Sequence, residues 1–289
     1  MRLFLFGYGY SAQAFVDRIR GRVAWLGATA RDDASEARLR EHGIDVCRFD
    51  GTAPGAGLSA ALNVASHILV SIPPAAEGDP VLRHHADDIA RAASGLSWIG
   101  YLSTVGVYGD HDGAWVDEEA ACRPVSERSR RRLAAETAWL DFADRTGIPV
   151  GIFRLAGIYG PGRNALRTLR EGRGKRLVKP GQVFNRIHVA DIAAVLERAV
   201  AAPAARIYNV ADDEPAPPQD VVAHAAELLG IEPPPETPFD AATLSPMAAT
   251  FYGENKRVSN RRIRDELGVD LQFPTYREGL AALVDGERQ

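Results

Sequence analysis

The sequence predicts an α/β fold, a Rossmann-type doubly wound parallel sheet with a smaller, discontinuous C-terminal lobe. Three observations predict it. Short apolar runs alternate with helical patterns of about 10–20 residues up to residue 156. The runs HILV (67–70) and VGIF (150–153) are continuous rather than alternating, as in strands covered by helices on both faces. A glycine-rich turn, GYGYSA (7–12), joins the first strand to the first helix.

In chain order, RLFLFG (2–7) is the first strand. SAQAFVDRIRG follows, with Ala12, Phe15, Val16 and Ile19 at helical spacing and Gly21 as its stop. VAWLGATA (23–30) is the second strand, and ASEARLREHG (34–43) is a helix closed by Gly43. IDVCRFD (44–50) and ASHILVSIPP (65–74) are the third and fourth strands. The helix at 80–94 starts on Pro80, where the missing N–H costs nothing. SWIGYLST (97–104), a long helix at 126–147 and PVGIFRLA (149–156) complete the alternation.

After residue 156 the texture changes. GIYGPGRN is turn-rich, RLVKPGQVFNRIHV has hairpin character, DIAAVLERAV is a short helix, and RIYNVA (206–211) is a strand able to rejoin the sheet. Proline-rich loops flank a helix at 219–229, and SNRRIRDELG and TYREGLAALV are helical. The expected division is a dinucleotide-binding domain over 1–155 with about 182–211, and a substrate-side lobe over 156–181 and 212–289.

Composition narrows the function. The chain of 289 residues is 46% hydrophobic and 25% charged, with a formal net charge of −4. A nucleic-acid binder would be basic, so the run Arg128, Arg130, Arg131, Arg132 is a local feature. Cys47 and Cys122 stand far apart, in neither a disulfide framework nor a metal-ligand spacing. His111, between Asp110 and Asp112, reads as a turn, so no metal site is expected. MRLFLFGYG lacks the marks of a signal peptide, and no run approaches a membrane span. The expected setting is the cytoplasm.

In GYGYSA, Gly7, Gly9 and Ala12 form G-x-G-x-x-A directly after a strand and at the start of a helix. Gly7 permits the tight turn, Gly9 admits a pyrophosphate to the backbone, and Ala12 allows close helix–sheet packing. Tyr8, Tyr10 and Ser11 complete the loop. About 20 residues on, ATARDD offers Arg31, which suits the 2′-phosphate of NADP. Asp32 and Asp33 would serve NAD if the strand ended later.

With YLSTVGVYGD, FRLAGIYGPGR and NRIHVADIA laid in order, the chain resembles a short-chain dehydrogenase/reductase of the extended and atypical branch, related to NAD(P)-dependent epimerases and dehydratases. The resemblance implies a contact to the adenine from Asp50, a cofactor loop at Ser71, Ile72 and Pro73, and a catalytic hydroxyl at Thr104. It also implies that Leu155, opening the 155–160 segment, lies against the nicotinamide. The family's Tyr-x-x-x-Lys pair, in the register set by LAAE, falls on Arg128 and Arg132, and no tyrosine lies between Tyr108 and Tyr159.

Arg132 can still donate to ribose hydroxyls, but an arginine cannot shuttle protons, and the lost tyrosine removes a contribution of about 10²–10⁴-fold. Tyr108 is the nearest substitute acid, followed by Tyr159 and His188; packing and loop anchoring are their alternative roles. Glu127–Arg131 and Arg132–Glu136 have i,i+4 spacing, so the run reads equally as a salt-bridged helix face at a dimer contact. A homodimer through the sheet-covering helices is one assembly this allows. Nucleotide-sugar members often place an arginine where this chain has Phe184; Arg186 is close to that position but does not occupy it. Arg186, His188 and Tyr159 are the candidate substrate residues. The expected function is NADP-linked oxidoreductase or epimerase-like chemistry on a small polar or sugar-like substrate, with a non-catalytic NADP-binding sensor or scaffold as the alternative.

Overall fold

The computed structural model describes residues 1–286. The chain divides into two units. The first comprises 1–104, 130–154 and 193–208, and the second comprises 105–129, 155–192 and the chain from Asn209 onward. The sequence division differs at 105–129 and 182–192, and at residue 155 and residues 209–211, all of which belong to the second unit. The two longer stretches lie in chain that leaves the sheet, so their packing partners are distant in sequence and no local pattern marks them.

The first unit is built on a seven-stranded sheet. Its strands are β1 (Arg2–Phe6), β2 (Trp25–Ala30), β3 (Asp45–Arg48), β4 (His67–Val70), β5 (Trp98–Thr104), Val150–Leu155 and Arg206–Val210. From one edge the order is Arg206–Val210, Val150–Leu155, β5, β4, β1, β2, β3. β1 pairs parallel with both β2 and β4, β2 with β3, and β4 with β5. Chain order reverses at β1, and in open parallel sheets the crevice at such a reversal receives the ligand. The helices are α1 (Tyr10–Ile19), α2 (Asp33–Glu41), α3 (Leu58–Val64), α4 (Pro80–Arg91) and α5 (Glu127–Thr146). Composition hides α3, because its seven residues are too short for a clear period.

Burial is complete along β1, where Leu3, Phe4, Leu5 and Phe6 expose nothing. Phe4, Phe6, Ile68, Val70, Ile99 and Trp139 belong to one buried cluster, so a single core is shared by sheet and helices. Within it lies one ionic feature. Glu136 of α5 receives Arg154 Nη2 at 2.8 Å and Nε at 3.1 Å, and Ser103 of β5 donates to the same carboxylate. Glu136 and Arg154 are 1% and 3% exposed.

The second unit carries α6 (Ala165–Arg170), the start of α7 (Val189–Ala201), α8 (Pro218–Leu229), α9 (Pro246–Tyr252), α10 (Arg261–Asp265) and α11 (Tyr276–Gly286). The stretch 176–189 is not a hairpin. Arg186–His188 pairs parallel with Gly157–Tyr159, and Arg176–Val178 pairs parallel with Glu236–Pro238. Asp191 fastens this unit by accepting the amides of Gln272 at 2.7 Å and Phe273 at 3.1 Å. Among the described residues, no helix is long and apolar enough to cross a membrane.

Removing one partner of a buried ion pair strands the other charge. Arg154→Met should therefore cost about 3–5 kcal/mol in urea denaturation, and Arg154→Met combined with Glu136→Leu should recover most of that loss. Equal stability of the single and double variants would show that the pair is not what holds α5.

Candidate functional site

The glycine turn is shaped by its neighbours. Gly7 has φ +89°, and a Cβ there would lie 2.8 Å from both Ile72 Cγ2 and Ser71 Oγ. Its N–H donates to Thr29 Oγ1 at 2.9 Å, while its carbonyl accepts from Ser71 Oγ at 3.1 Å. Ser71 and Ile72 thus clamp the turn from the end of β4, a role that sequence spacing alone did not assign.

Gly9 has open space where a Cβ would stand. As N-cap of α1 it supplies no capping side chain. Ala12 is fully buried against the sheet and Ser11 nearly so, whereas Tyr8 is half-buried. Open space at the positive end of a helix without a side-chain cap fits a pyrophosphate.

β2 ends at Ala30, which makes Arg31 the first residue beyond it. Asp32 is the N-cap of α2 and accepts from Ser35 N at 2.8 Å; the backbone and hydroxyl of Ser35 hold its carboxylate below the usual range. Asp33 pairs with Arg48 at 2.9 Å. Both carboxylates that competed with Arg31 thus already have a partner, although both are exposed. Asp50 lies two residues past the end of β3, exposed, and accepts from the amide and hydroxyl of Thr52 at 2.8 and 2.7 Å. Pro73 is exposed past the clamp, and Leu155 is buried at the end of its strand.

The arginine run divides. Arg128 stacks over Phe251, with its guanidinium 5.3 Å from the ring centroid, within the second unit. Arg132 turns into the first unit: Nη1 donates to Leu102 O at 2.9 Å, Tyr101 Oη at 3.1 Å and Ile72 O at 3.5 Å. The expected Arg132–Glu136 pair does not form, because Glu136 is committed to Arg154 and Ser103. The Arg132 guanidinium is thus seated at the ends of β4 and β5. Thr104 closes β5 and is half-buried.

Tyr108 does not replace the missing acid. It is fully buried, and its hydroxyl donates to Asn209 Oδ1 at 2.7 Å. Asn209 is itself held by Glu118, which accepts its amide at 2.8 Å. A hydroxyl committed inside such a network has no path to substrate.

His188 is also a packing residue, 4% exposed between Tyr159 and Phe273. Burial lowers it to about 4, so it is neutral at physiological pH. His111 is fixed by Ala121 O at 3.1 Å.

Tyr159 and Arg186, by contrast, come together. Both line a cavity of about 260 Å³ that lies wholly within the second unit. Tyr159 donates to Thr275 O at 3.3 Å, and its ring occupies the space that a Cβ on Gly279 would fill. Arg186 Nη1 donates to Phe184 O at 2.9 Å and Ala216 O at 3.1 Å. Nearby, Asp212 is 1% exposed with neither carboxylate oxygen in a well-formed hydrogen bond, and burial raises it to about 8 against the pull of Arg186.

Comparison with known proteins agrees with this arrangement. The model of the NAD dependent epimerase/dehydratase family matches residues 85–211. A functionally unknown conserved protein from Silicibacter pomeroyi is 46% identical, with a TM-score of 0.90, over 99% of this chain and 98% of that one. The match to the NAD dependent epimerase/dehydratase family thus spans residues 85–211, and the chain as a whole has the fold of that group. Protein YeeZ of Escherichia coli K12 is 33% identical over 178 residues, 60% of this chain and 58% of its own length. The chain therefore spans little over half of the curated relatives it matches. The UDP-glucose 4-epimerase of Thermus thermophilus, in complex with NAD, shares the fold at 18% identity and a TM-score of 0.75, over 100% of this chain and 99% of that one.

Gly7→Ala, strained in φ and blocked by Ile72, should cost about 1–3 kcal/mol in thermal or urea denaturation; an unchanged midpoint would refute the clamp. Asp212 binds a proton in the folded state that the unfolded chain releases, so its contribution to stability is present at low pH and is lost as pH rises toward about 8. The lowered His188 acts oppositely, losing stability as pH falls from its ordinary 6.5 toward about 4. Between pH 6.5 and 8 the Asp212 slope should act without an opposing one from His188. Urea midpoints should fall across that window in the wild type and stay flatter in Asp212→Asn.

Proposed function

We propose that the protein binds NADP and carries out oxidoreductase or epimerase-like chemistry on a small polar or sugar-like substrate. The observation that carries the cofactor choice is the state of the residues after β2. Arg31 is exposed immediately past the strand, while Asp32 caps α2 and Asp33 pairs with Arg48. A ribose 2′-hydroxyl needs a carboxylate there and a 2′-phosphate needs a guanidinium; of these three side chains, only the guanidinium stands uncommitted.

Gly7, Gly9 and the first turn of α1 would hold the pyrophosphate, and Asp50 the adenine side. The bound dinucleotide supplies or accepts a hydride. Arg132 would donate from Nε or Nη2 to the ribose, since its recorded hydrogen bonds all run from Nη1. Thr104 would polarise the substrate oxygen, and a bound water would carry the proton that the family's tyrosine carries.

A second reading is a non-catalytic NADP-binding sensor or scaffold. It is favoured by the buried Tyr108 hydroxyl, which leaves no replacement for the absent tyrosine.

Calorimetric titration with NADPH and NADH should give preferential NADPH binding. Arg31→Ala should weaken NADPH by about tenfold or more while leaving NADH little changed. Equal affinity for both nucleotides would refute NADP selection. Hydride transfer from bound NADPH to any carbonyl substrate would exclude the purely sensory reading.

A further inference from the structure

The cavity in the second unit presents an unusual combination of size, lining and charge. Its walls come from α6, α8 and α11 and are mainly apolar: Leu169, Val221, Val222 and Leu280 line it beside the rings of Tyr159 and Tyr276. A single cationic group, Arg186, is set into this wall with its guanidinium 5.9 Å from the Tyr276 ring centroid. One nitrogen, Nη1, is tied to the carbonyls of Phe184 and Ala216. Burial pulls the guanidinium below its ordinary range, a mark of a charge without adequate solvation.

Asp212 and Glu214 are among the groups that favour the charge on Arg186, but burial outweighs them. Tyr159 and Tyr276 are both raised and stay protonated. Glu214 is engaged with Arg277 at 3.1 Å. Asp213, beside Asp212, is held by Asn260 and Arg264. Asp212 has no well-formed hydrogen bond and keeps its proton at neutral pH. A half-buried guanidinium that borders open apolar volume, with Nη1 spent on two carbonyls and a protonated Asp212 beside it, is a place where an anion would be favoured.

We propose that this cavity binds a small monocarboxylate with an apolar body, one aromatic ring or a branched chain, whose carboxylate meets Arg186. A guanidinium matches a carboxylate edge to edge, and the hydrophobic walls suit the remainder. Volume and charge both limit the ligand. About 260 Å³ falls below the usual 300–1,000 Å³ of drug-sized sites, so a nucleotide sugar is too large. A phosphate dianion would have one guanidinium against apolar walls, too few donors for its oxygens. All lining residues belong to the second unit, so the proposal does not rest on the cofactor reading.

The test is calorimetric titration of the full chain with phenylacetate and isovalerate, with phenylacetamide as the neutral counterpart and inorganic phosphate as the competing anion. At least one carboxylate should bind saturably with a Kd below about 1 mM, and the amide and phosphate at least about tenfold more weakly. Arg186→Gln should abolish binding, and Val222→Phe, which fills the cavity, should do the same with Arg186 intact. Binding should weaken as pH rises through about 8, where Asp212 acquires charge and competes for Arg186, and Asp212→Asn should remove that dependence. No saturable binding of either acid, or equal binding of the amide or phosphate, would overturn the proposal. So would undiminished binding in Arg186→Gln with a native circular dichroism spectrum. Should Arg186→Gln fail to fold, Val222→Phe decides, with undiminished binding overturning the proposal.

Discussion

The contact between Glu136 and Arg154 is the constraint on which the first unit depends. It joins α5 to two sheet strands, through Arg154 on one and Ser103 on the other, in a place that water does not reach. A buried carboxylate must have its donors, so the register of α5 along the sheet is set by where those donors stand. Arg132 lies one turn N-terminal to Glu136 and inherits that register. This is why its guanidinium arrives at the carbonyls of Ile72 and Leu102 rather than in solvent.

The same economy of partners governs the nucleotide end of the sheet. Ser71 bonds to the backbone of β1 and leaves no volume for a side chain on Gly7, so the turn is held open in a conformation that glycine alone adopts comfortably. Gly9 next to it meets nothing, and α1 begins without a cap. Tight packing on one side of the loop and empty space on the other together make an anion site. After β2, the cap on α2 has a similar effect by elimination: it consumes Asp32 and leaves Arg31 outward.

In the second unit two of the candidate substitute residues are taken up by packing. Tyr108 and His188 retain their types but are absorbed into packing, one bonded to Asn209 and the other enclosed by aromatic rings. Arg186 and Asp212 are the reverse case, charged groups in a hydrophobic setting with their hydrogen-bonding capacity only partly met. Unmet capacity beside a cavity is chemically more informative than a hydroxyl such as that of Tyr108, whose proton is already shared. It places the distinctive chemistry of this unit at α6, α8 and α11.

Much of the architecture was legible in the sequence because its causes are local. Apolar runs of strand length, helix periods and the G-x-G-x-x-A turn depend on near neighbours, and the strands from Arg2–Phe6 to Val150–Leu155 fall within a few residues of their expected bounds. The family resemblance was legible for the same reason, since its motifs are short and ordered. What the sequence did not determine depends on distant partners. The segment 105–129 joins the second unit, 176–189 pairs outward instead of folding on itself, and Glu136 takes Arg154 in place of Arg132. Burial decided Tyr108 and His188, and only the approach of three helices created the space beside Arg186. A sequence determines which groups are available; the free energy of desolvating them, which settles whether they act or pack, exists only once the chain has closed around them.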